Sequence, residues 1–408
     1  MSETAAAGEP WLHVIGMGED GFAGLSPRAA AALKAAEVIV GARRLLDMVP
    51  LTEAQRIVWT SLEATLAEIE SRRGRNVAVL ASGNPMWHGL GGSLARRFSP
   101  AEMDVHPSPS AFVLACARMG WPMEATVPLS VHNAPLEIVG RHLYPGARLV
   151  VLSRDAETPG SLAAYLTERG FGASLLTVFE AMGGARERRI AAPAAAWGEV
   201  AGDPLNTVAV EVIADAGARI FGLVPGLPDS AYMHDGMLTK REIRAITLSA
   251  LAPCPGETLW DVGAGSGSIS VEWLRANPRG RAVAVECEPE RAQVLRLNAE
   301  RLGAPGVEVV EGRAPEVLAG IPGSPDAVFV GGGVTSGATL AACWARLKKG
   351  GRLVVNVVTL ESAAHLIAFR VEHGGTLTQI LISREAPVGG MTRFESMAPV
   401  IQYAGVKS

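Results

Sequence analysis

Residues 258–270 read TLWDVGAGSGSIS, an apolar run that ends in an acid and passes into glycines at alternate positions. Such a segment leaves a chain few options. A short run that is apolar on both faces is a strand buried inside a sheet, and it must leave that sheet by a tight turn into a helix. Glycines at 263, 265 and 267 carry no Cβ and reach positive φ, so the backbone bends sharply and a ligand can lie against it. The expected product is a strand, loop and helix start built around an adenosine-containing ligand.

Two cofactor classes use a loop of this kind. A dinucleotide fingerprint runs G-x-G-x-x-G, with the third glycine opening the helix and the pyrophosphate on the helix N-terminus. Here Gly263, Gly265 and Gly267 are spaced G-x-G-x-G, with Ala264 and Ser266 between them and Ser268 next. After a second apolar run, RAVAVE, comes Glu286, where either ligand would present its ribose hydroxyls to an acceptor. S-adenosylmethionine (SAM) has no phosphate, so Asp261 beside the loop repels nothing and can take up the ligand's amino group. The loop is read as a SAM site, with NAD as the alternative.

At 408 residues the chain is too long for one ordinary core, and two domains of about 200 residues are expected. A net charge of −4 leaves no basic surplus for nucleic acid. Apolar runs of strand length alternate with Ala/Leu-rich helical stretches, the pattern of an α/β protein with mostly parallel sheets. In the first half the strands are WLHVIG, EVIVG, NVAVLAS, ARLVVLS, SLLTVFE and NTVAVEV, and Ser26-Pro27 opens the first helix. In the second half they are TLWDVG, AVAVE, VEVVEG, AVFVG, GRLVVNVV, TLTQILISR and APVIQYAG, the last two as an antiparallel pair. Residues 214–237 hold GLVPGLPDS and no periodicity. The division is a domain over 10–213, a linker over 214–235 and a domain over 236–408.

The start, MSETAAAGEP, has neither a basic region nor an apolar core, so it is not a secretory signal. Residues 327–345 are uncharged for a membrane-spanning length, but their glycines, Thr and Ser fit a strand, a loop and a helix start better. Cys116, Cys254, Cys287 and Cys343 lack metal or redox spacing, and the histidines include no i, i+4 pair. No metal site and no membrane contact are expected, and a reduced, cytoplasmic compartment is the simplest reading.

A second loop matches the dinucleotide fingerprint letter for letter: Gly16-Met17-Gly18-Glu19-Asp20-Gly21, directly after a strand. Its context argues against that use. Glu19 and Asp20 put two negative charges where a pyrophosphate would lie, and no helix begins until Ser26. The next strand, EVIVGARR, ends in Gly41 instead of an acid. Arg43 and Arg44 keep an NADP reading open, because guanidinium groups suit a 2′-phosphate.

HVIGMGEDGFAGLS, ASGNPMWHGLG, VHPSPSAFVLACARMGWP, LVVLSRD and VFE resemble, in order and spacing, the tetrapyrrole methylase family. The resemblance implies a two-lobed α/β fold with SAM in the cleft between the lobes. It carries Gly16, Gly18, Gly83, Asn84, Pro85, Ser108 and Ser110 onto that site. Asn84 stands in the family's G-D-P turn, so a role that needs a carboxylate is lost there. The C-terminal half has MLTKREIRAITLSAL before the glycine loop, EGRAPE after its third strand and FVGGG after its fourth. It resembles a separate family that methylates and decarboxylates precorrins. That implies a Rossmann-like, seven-stranded SAM methyltransferase fold, with Thr239, Gly263 to Gly267, Glu286 and Ala314 lining the SAM pocket. Arg313 stands where that family often has Asp; a guanidinium stacks on adenine but cannot accept its amino proton.

Together the resemblances imply methylation of a precorrin-type tetrapyrrole at carbons 5 and 15, with loss of carbon dioxide from an acetate side chain, in cobalamin biosynthesis. The C-terminal type would take carbon 15 and the decarboxylation. Such chemistry asks for alignment and exclusion of water, so no catalytic acid or base is assigned. FVGGG lacks the N/D-P-P-Y/F turn of amine methylases, which fits a carbon target. The carboxylates of the macrocycle call for cations, and Lys240 and Arg244 share one face of an expected helix. SRRGR at 71–75 and ARERR at 185–189 are read as solvated faces. A homo-oligomer is expected. Two alternatives stay open: an NAD(P)-dependent oxidoreductase using the glycine loops, and an enzyme whose N-terminal lobe only binds the tetrapyrrole.

Overall fold

Runs that are apolar on both faces become interior strands. In the first sheet these are β1 (Leu12–Met17), β2 (Val38–Gly41) and β4 (Val77–Ser82), and the edges are β3 (Gln55–Val58) and β5 (Met103–His106). All pairings are parallel, in the order β3-β2-β4-β1-β5. Period two divides the side chains: Leu12, Val14, Val38 and Val79 pack on one face. Ile15, Met17, Ile39 and Leu80 pack on the other, against Ala29 and Leu33 of the helix Pro27–Ala35. That helix starts as expected, with Ser26 Oγ accepting from Ala29 N at 3.2 Å and Pro27 in the first turn.

The second sheet departs from the parallel expectation. Its order is β6 (Val127–Ser130), β7 (Arg148–Leu152), β10 (Asn206–Glu211), β8 (Leu175–Glu180), β9 (Arg188–Pro193). β6 and β7 run parallel, but β10 is antiparallel to both β7 and β8, and β8 to β9. The connection from β8 to β9 spans only residues 181–187, too short for the crossover that parallel neighbours need. Phe112, Ala115 and Cys116 of the helix Ala111–Met119 cover this sheet at Val150, Phe179 and Ala209. The two-lobed α/β architecture holds.

The C-terminal sheet has seven strands in the order β13 (Val307–Glu311), β12 (Arg281–Glu286), β11 (Thr258–Val262), β14 (Ala327–Val330), β15 (Arg352–Val357), β19 (Val400–Val406), β16 (Thr376–Ile380). The first five are parallel; β19 is antiparallel to β15 and β16. This is the expected plan. An unexpected hairpin, β17 (Ser383–Val388) with β18 (Met391–Ser396), is inserted before β19. Along β11, Trp260 and Val262 join one core with Leu340 and Leu366, while Leu259 joins the other with Ile269 and Trp273.

The structure, a computed structural model, describes residues 9–198, 202–332, 334 and 337–408. By their contacts the residues fall into two compact units, Met1–Ala134 with His142–Arg219 and Pro135–Arg141 with Ile220–Ser408. The stretch expected as a linker over 214–235 is therefore divided, and its greater part is folded onto the C-terminal unit. Leu227, Ala231 and Tyr232 are buried there. Glu272 accepts hydrogen bonds from Gly226 N, Leu227 N (3.0 Å) and the Tyr232 hydroxyl (2.9 Å). The sequence hid this because turn-like composition says nothing about a partner carboxylate far along the chain.

No helix among the described residues is long and apolar enough to cross a membrane. Within residues 327–345 the strand is β14 and the helix is Ala338–Arg346. Residues 1–8 and Gly333 of FVGGG lie outside the described residues, as does the reading of the chain's start.

Candidate active site

A cavity of about 610 Å³ opens at the carboxyl ends of β11, β12, β14 and β15, the edge where parallel α/β sheets hold ligands. Thr239, Lys240, Gly263, Ala264, Gly265, Glu286 and Ala314 line it, as does Arg313. Much of the wall is apolar, from Val262, Ile269, Phe329, Val334 and Val357.

The glycine loop takes the geometry its sequence demands. Gly263, Gly265 and Gly267 have φ of 73°, 57° and 79°. A Cβ on Gly263 would lie 3.1 Å from Gly332 N, and one on Gly267 only 2.4 Å from Leu295 Cγ. Gly265 N donates to Glu286 Oε2 at 2.7 Å, while Glu286 Oε1 accepts from Cys287 N and Glu288 N, each at 3.0 Å. The carboxylate is thus fixed by three backbone amides at the cavity wall, with acceptor capacity left on both oxygens. Gly267 caps the helix Ser268–Ala276 and does not itself line the cavity. Neither does Ser266, whose carbonyl is held by Asn298 Nδ2 at 2.9 Å.

Two further expected contacts lie elsewhere. Asp261 shares the face of Leu259 along β11 and so points toward the covering helix. Its Oδ2 accepts from Ser270 N at 3.0 Å and Ser270 Oγ at 2.6 Å, and it is absent from the cavity lining. Burial pushes its pKa up to about 6, with the Glu286 charge adding to the shift and the Ser270 bonds opposing it. Arg244 is wholly buried and does not face the cavity. Its Nε pairs with Glu272 Oε1 at 2.5 Å, and its Nη atoms donate to the carbonyls of Thr239 and Leu227. It is a core cation paired with Glu272, and the neighbouring Glu242 pairs with Arg384. Lys240, just ahead of the helix Arg241–Leu251, remains on the cavity wall.

Other lining residues escaped the sequence reading. Asn356, at the end of β15, accepts from Gln402 Nε2 at 2.9 Å and donates to Thr247 Oγ1 at 2.8 Å, a polar layer at the cavity. One polar residue inside the apolar run GRLVVNVV was the available signal. Met397 and Ala398 follow the unexpected hairpin and had no signal. Cys287 also lines the cavity, where desolvation and then the acids at 286 and 288 push its thiol pKa up.

In the N-terminal unit the structure brings several expected residues together. A Cβ on Gly16 would stand 2.1 Å from Gly83 O, 2.8 Å from Ser108 N and 3.0 Å from Pro85 Cδ. Gly83 has φ of 60° and its Cβ would meet Ser110 Cα at 3.2 Å. Asn84 Oδ1 accepts from Met86 N at 3.0 Å, the turn-forming role expected of it. Ser110 caps the helix Ala111–Met119 by accepting from Val113 N at 3.4 Å. Gly18 is crowded by its own loop, where a Cβ would be 2.7 Å from Asp20 Oδ1. Glu19 forms an ion pair with Arg44 and lies 3.9 Å from Arg186. Of the two cations held open for a 2′-phosphate, Arg44 is therefore spent on the loop's own acid. ARERR is the exposed face expected of it, and it carries ion pairs: Arg188 donates to Glu180 at 2.6 Å and Arg118 donates to Glu187 at 2.6 Å.

Glycine loop, closing acid and reversed last hairpin define a methyltransferase architecture in the C-terminal unit. Comparison with known proteins assigns both units. Tetrapyrrole (Corrin/Porphyrin) Methylases match residues 12–196, and the Precorrin methyltransferase domain matches residues 230–407. The chain is 47% identical over 400 residues to a precorrin-6Y C(5,15)-methyltransferase (decarboxylating) of Sinorhizobium sp, covering 98% of this chain and 97% of the relative. It is 40% identical over 401 residues to the protein of that name from Mycobacterium tuberculosis, covering 97% and 100%. Over 193 residues it is 30% identical to a probable cobalt-precorrin-6B C(15)-methyltransferase (decarboxylating) of Saccharolobus solfataricus, covering 45% of this chain and 97% of that one. The chain belongs to the precorrin-6Y C(5,15)-methyltransferase (decarboxylating) family. It is a methyltransferase, and the matches support neither the oxidoreductase reading nor a non-catalytic N-terminal lobe.

Proposed function

We propose that the chain methylates a precorrin macrocycle at carbons 5 and 15 and removes carbon dioxide from an acetate side chain, drawing both methyl groups from SAM. The C-terminal unit takes carbon 15 and the decarboxylation, and the N-terminal unit takes carbon 5. The observation that carries the reading is Glu286, anchored by Gly265 N at the wall of a 610 Å³ cavity beneath a loop that excludes Cβ atoms. That arrangement fits SAM: an acceptor pair for ribose hydroxyls and a backbone that permits close approach.

SAM supplies a methyl group on a sulfonium, already activated for displacement. What the chain must add is alignment and dryness. Val262, Ile269, Phe329 and Val334 exclude water from the cavity. Glu286 orients the ribose, and Ala314 offers backbone contacts beside the adenine. Lys240 and Arg313 meet carboxylates of the macrocycle or the adenine face, and Asn356 is a polar positioning group. Decarboxylation needs an electron sink, which the conjugated macrocycle provides, so positioning groups suffice. In the N-terminal unit, Gly16, Gly83, Pro85, Ser108 and Ser110 build the second SAM turn.

The test is mass spectrometry of the product formed from precorrin-6Y and isotopically labelled SAM. Two labelled methyl groups and the loss of one carbon dioxide are expected. A product with one methyl group and an intact acetate, or none at all, overturns the reading.

A further inference from the structure

We propose that His13, Asp104 and His106 form a binding site for a divalent transition-metal ion of the zinc or cobalt class, on the first sheet. Residues 13 and 104 are direct neighbours across the β1–β5 pairing, and 106 lies two positions beyond 104 on the same face. One ligand atom from each of the three falls within 4.8 Å of the others. His106 Nε2 is 3.3 Å from Asp104 Oδ2 and His13 Nδ1 is 3.9 Å from it. A tetrahedral ion with ligands at ~2.0–2.2 Å spaces them ~3.3–3.6 Å apart, so the pairs to Asp104 are close to that spacing and the imidazoles need only turn inward.

The nitrogens facing this point have no other task. His106 is 6% exposed, and its Nε2 and His13 Nδ1 are buried without a hydrogen-bond partner. Buried polar atoms ordinarily find partners, so two orphan imidazole nitrogens aimed at one carboxylate mark a missing ligand. Two imidazoles and a carboxylate suit zinc or cobalt; magnesium and calcium prefer all-oxygen sets. Arg28 donates to Asp104 Oδ2 at 2.9 Å, but its side chain is largely exposed and can swing into solvent or remain as an outer partner. An ion here pins the edge strand β5 to β1. Two residues past His106 comes Ser108, whose backbone packs on Gly16, so the ion braces the N-terminal turn.

Sequence spacing concealed the site because its ligands come from strands far apart in the chain. To test it, the full chain is stripped with chelator, then titrated with zinc by calorimetry and with cobalt(II) by visible absorption. One equivalent is expected, with cobalt bands free of thiolate charge transfer. Asp104→Asn and His106→Gln should each weaken binding by more than the ~10- to 100-fold that loss of an outer partner costs. A Cys254→Ser/Cys287→Ser chain, lacking the exposed thiols, should keep the equivalent. Circular dichroism checks that the variants fold. The proposal is overturned if no saturable binding occurs, if both triad variants bind as the parent does, or if the cysteine variant alone loses the ion.

Discussion

The two glycine loops of this chain use the same letters for different ends. In the C-terminal loop three glycines take positive φ, the helix follows at once, and the backbone amide of Gly265 holds the acid of the next strand. In the N-terminal loop Gly16 and Gly18 are absent from the positive-φ glycines; Gly16 is small so that the Gly83 and Ser108 backbones can close over it. The acids there are engaged locally, Glu19 by Arg44 and Asp20 against its own loop. A fingerprint read as text therefore ranks the loops in the wrong order. Charge and helix position, which are physical, rank them correctly.

One substitution in each loop's surroundings should separate the two transfers. On the proposed reading, Glu286→Ala removes an acceptor of two ribose hydrogen bonds, each worth ~1.5–3 kcal/mol, and should weaken C-terminal SAM binding by ~10²-fold or more. The product would then carry one labelled methyl group and keep its carboxyl. Fully methylated, decarboxylated product would remove Glu286 from the site. Gly16→Ala is the mirror experiment. Its Cβ meets backbone atoms that cannot rotate away, so the cost should sit near the ~3 kcal/mol upper range of overpacking. N-terminal transfer should fail while C-terminal transfer on a suitable intermediate survives.

What the sequence disclosed follows the same division. Interior strands, the loop, Glu286 and the Ser26 cap were legible because burial on two faces and helix starts leave local signatures. The four strands that escaped the first half, β3, β5, β6 and β9, are the four edges of its two sheets. An edge strand is partly wetted, and its composition reads as loop. Arg244 was misplaced for another reason: its spacing from Lys240 was visible, but the buried Glu272 that claims it was not. Asp261 was placed correctly along the strand and wrongly in depth, since only the packing of the helix Ser268–Ala276 decides which side of the loop its carboxylate serves.

Asp261 also sharpens the contrast between the loops' acids, because it has no cation where Glu19 has Arg44. With a folded pKa near 6, it keeps its proton after an unfolded aspartate, near ~3.9, has lost one. Folding stability therefore falls as pH rises from about 4 to about 6 and levels above that, by on the order of 3 kcal/mol from this group. Asp261→Asn keeps an acceptor for Ser270 and removes the titration. Urea unfolding at pH 4 and pH 7 should show the variant gaining on the parent by that amount. A difference independent of pH would mean that the carboxylate is solvated or paired.

The smallest effect asks why Gly267 is glycine. Alanine there meets two costs: a left-handed backbone at φ 79° and a Cβ 2.4 Å from Leu295 Cγ. Together they should amount to ~1–3 kcal/mol. The two are separable because the clashing group is a side chain. Leu295→Ala leaves a cavity of its own, yet the double variant should lose less than the sum of the singles by ~1 kcal/mol or more, the steric share being relieved and the backbone share retained. Full additivity would assign the glycine to φ alone. Complete relief would make it, like Gly16, a matter of space, and the contrast between the loops would then narrow to their acids.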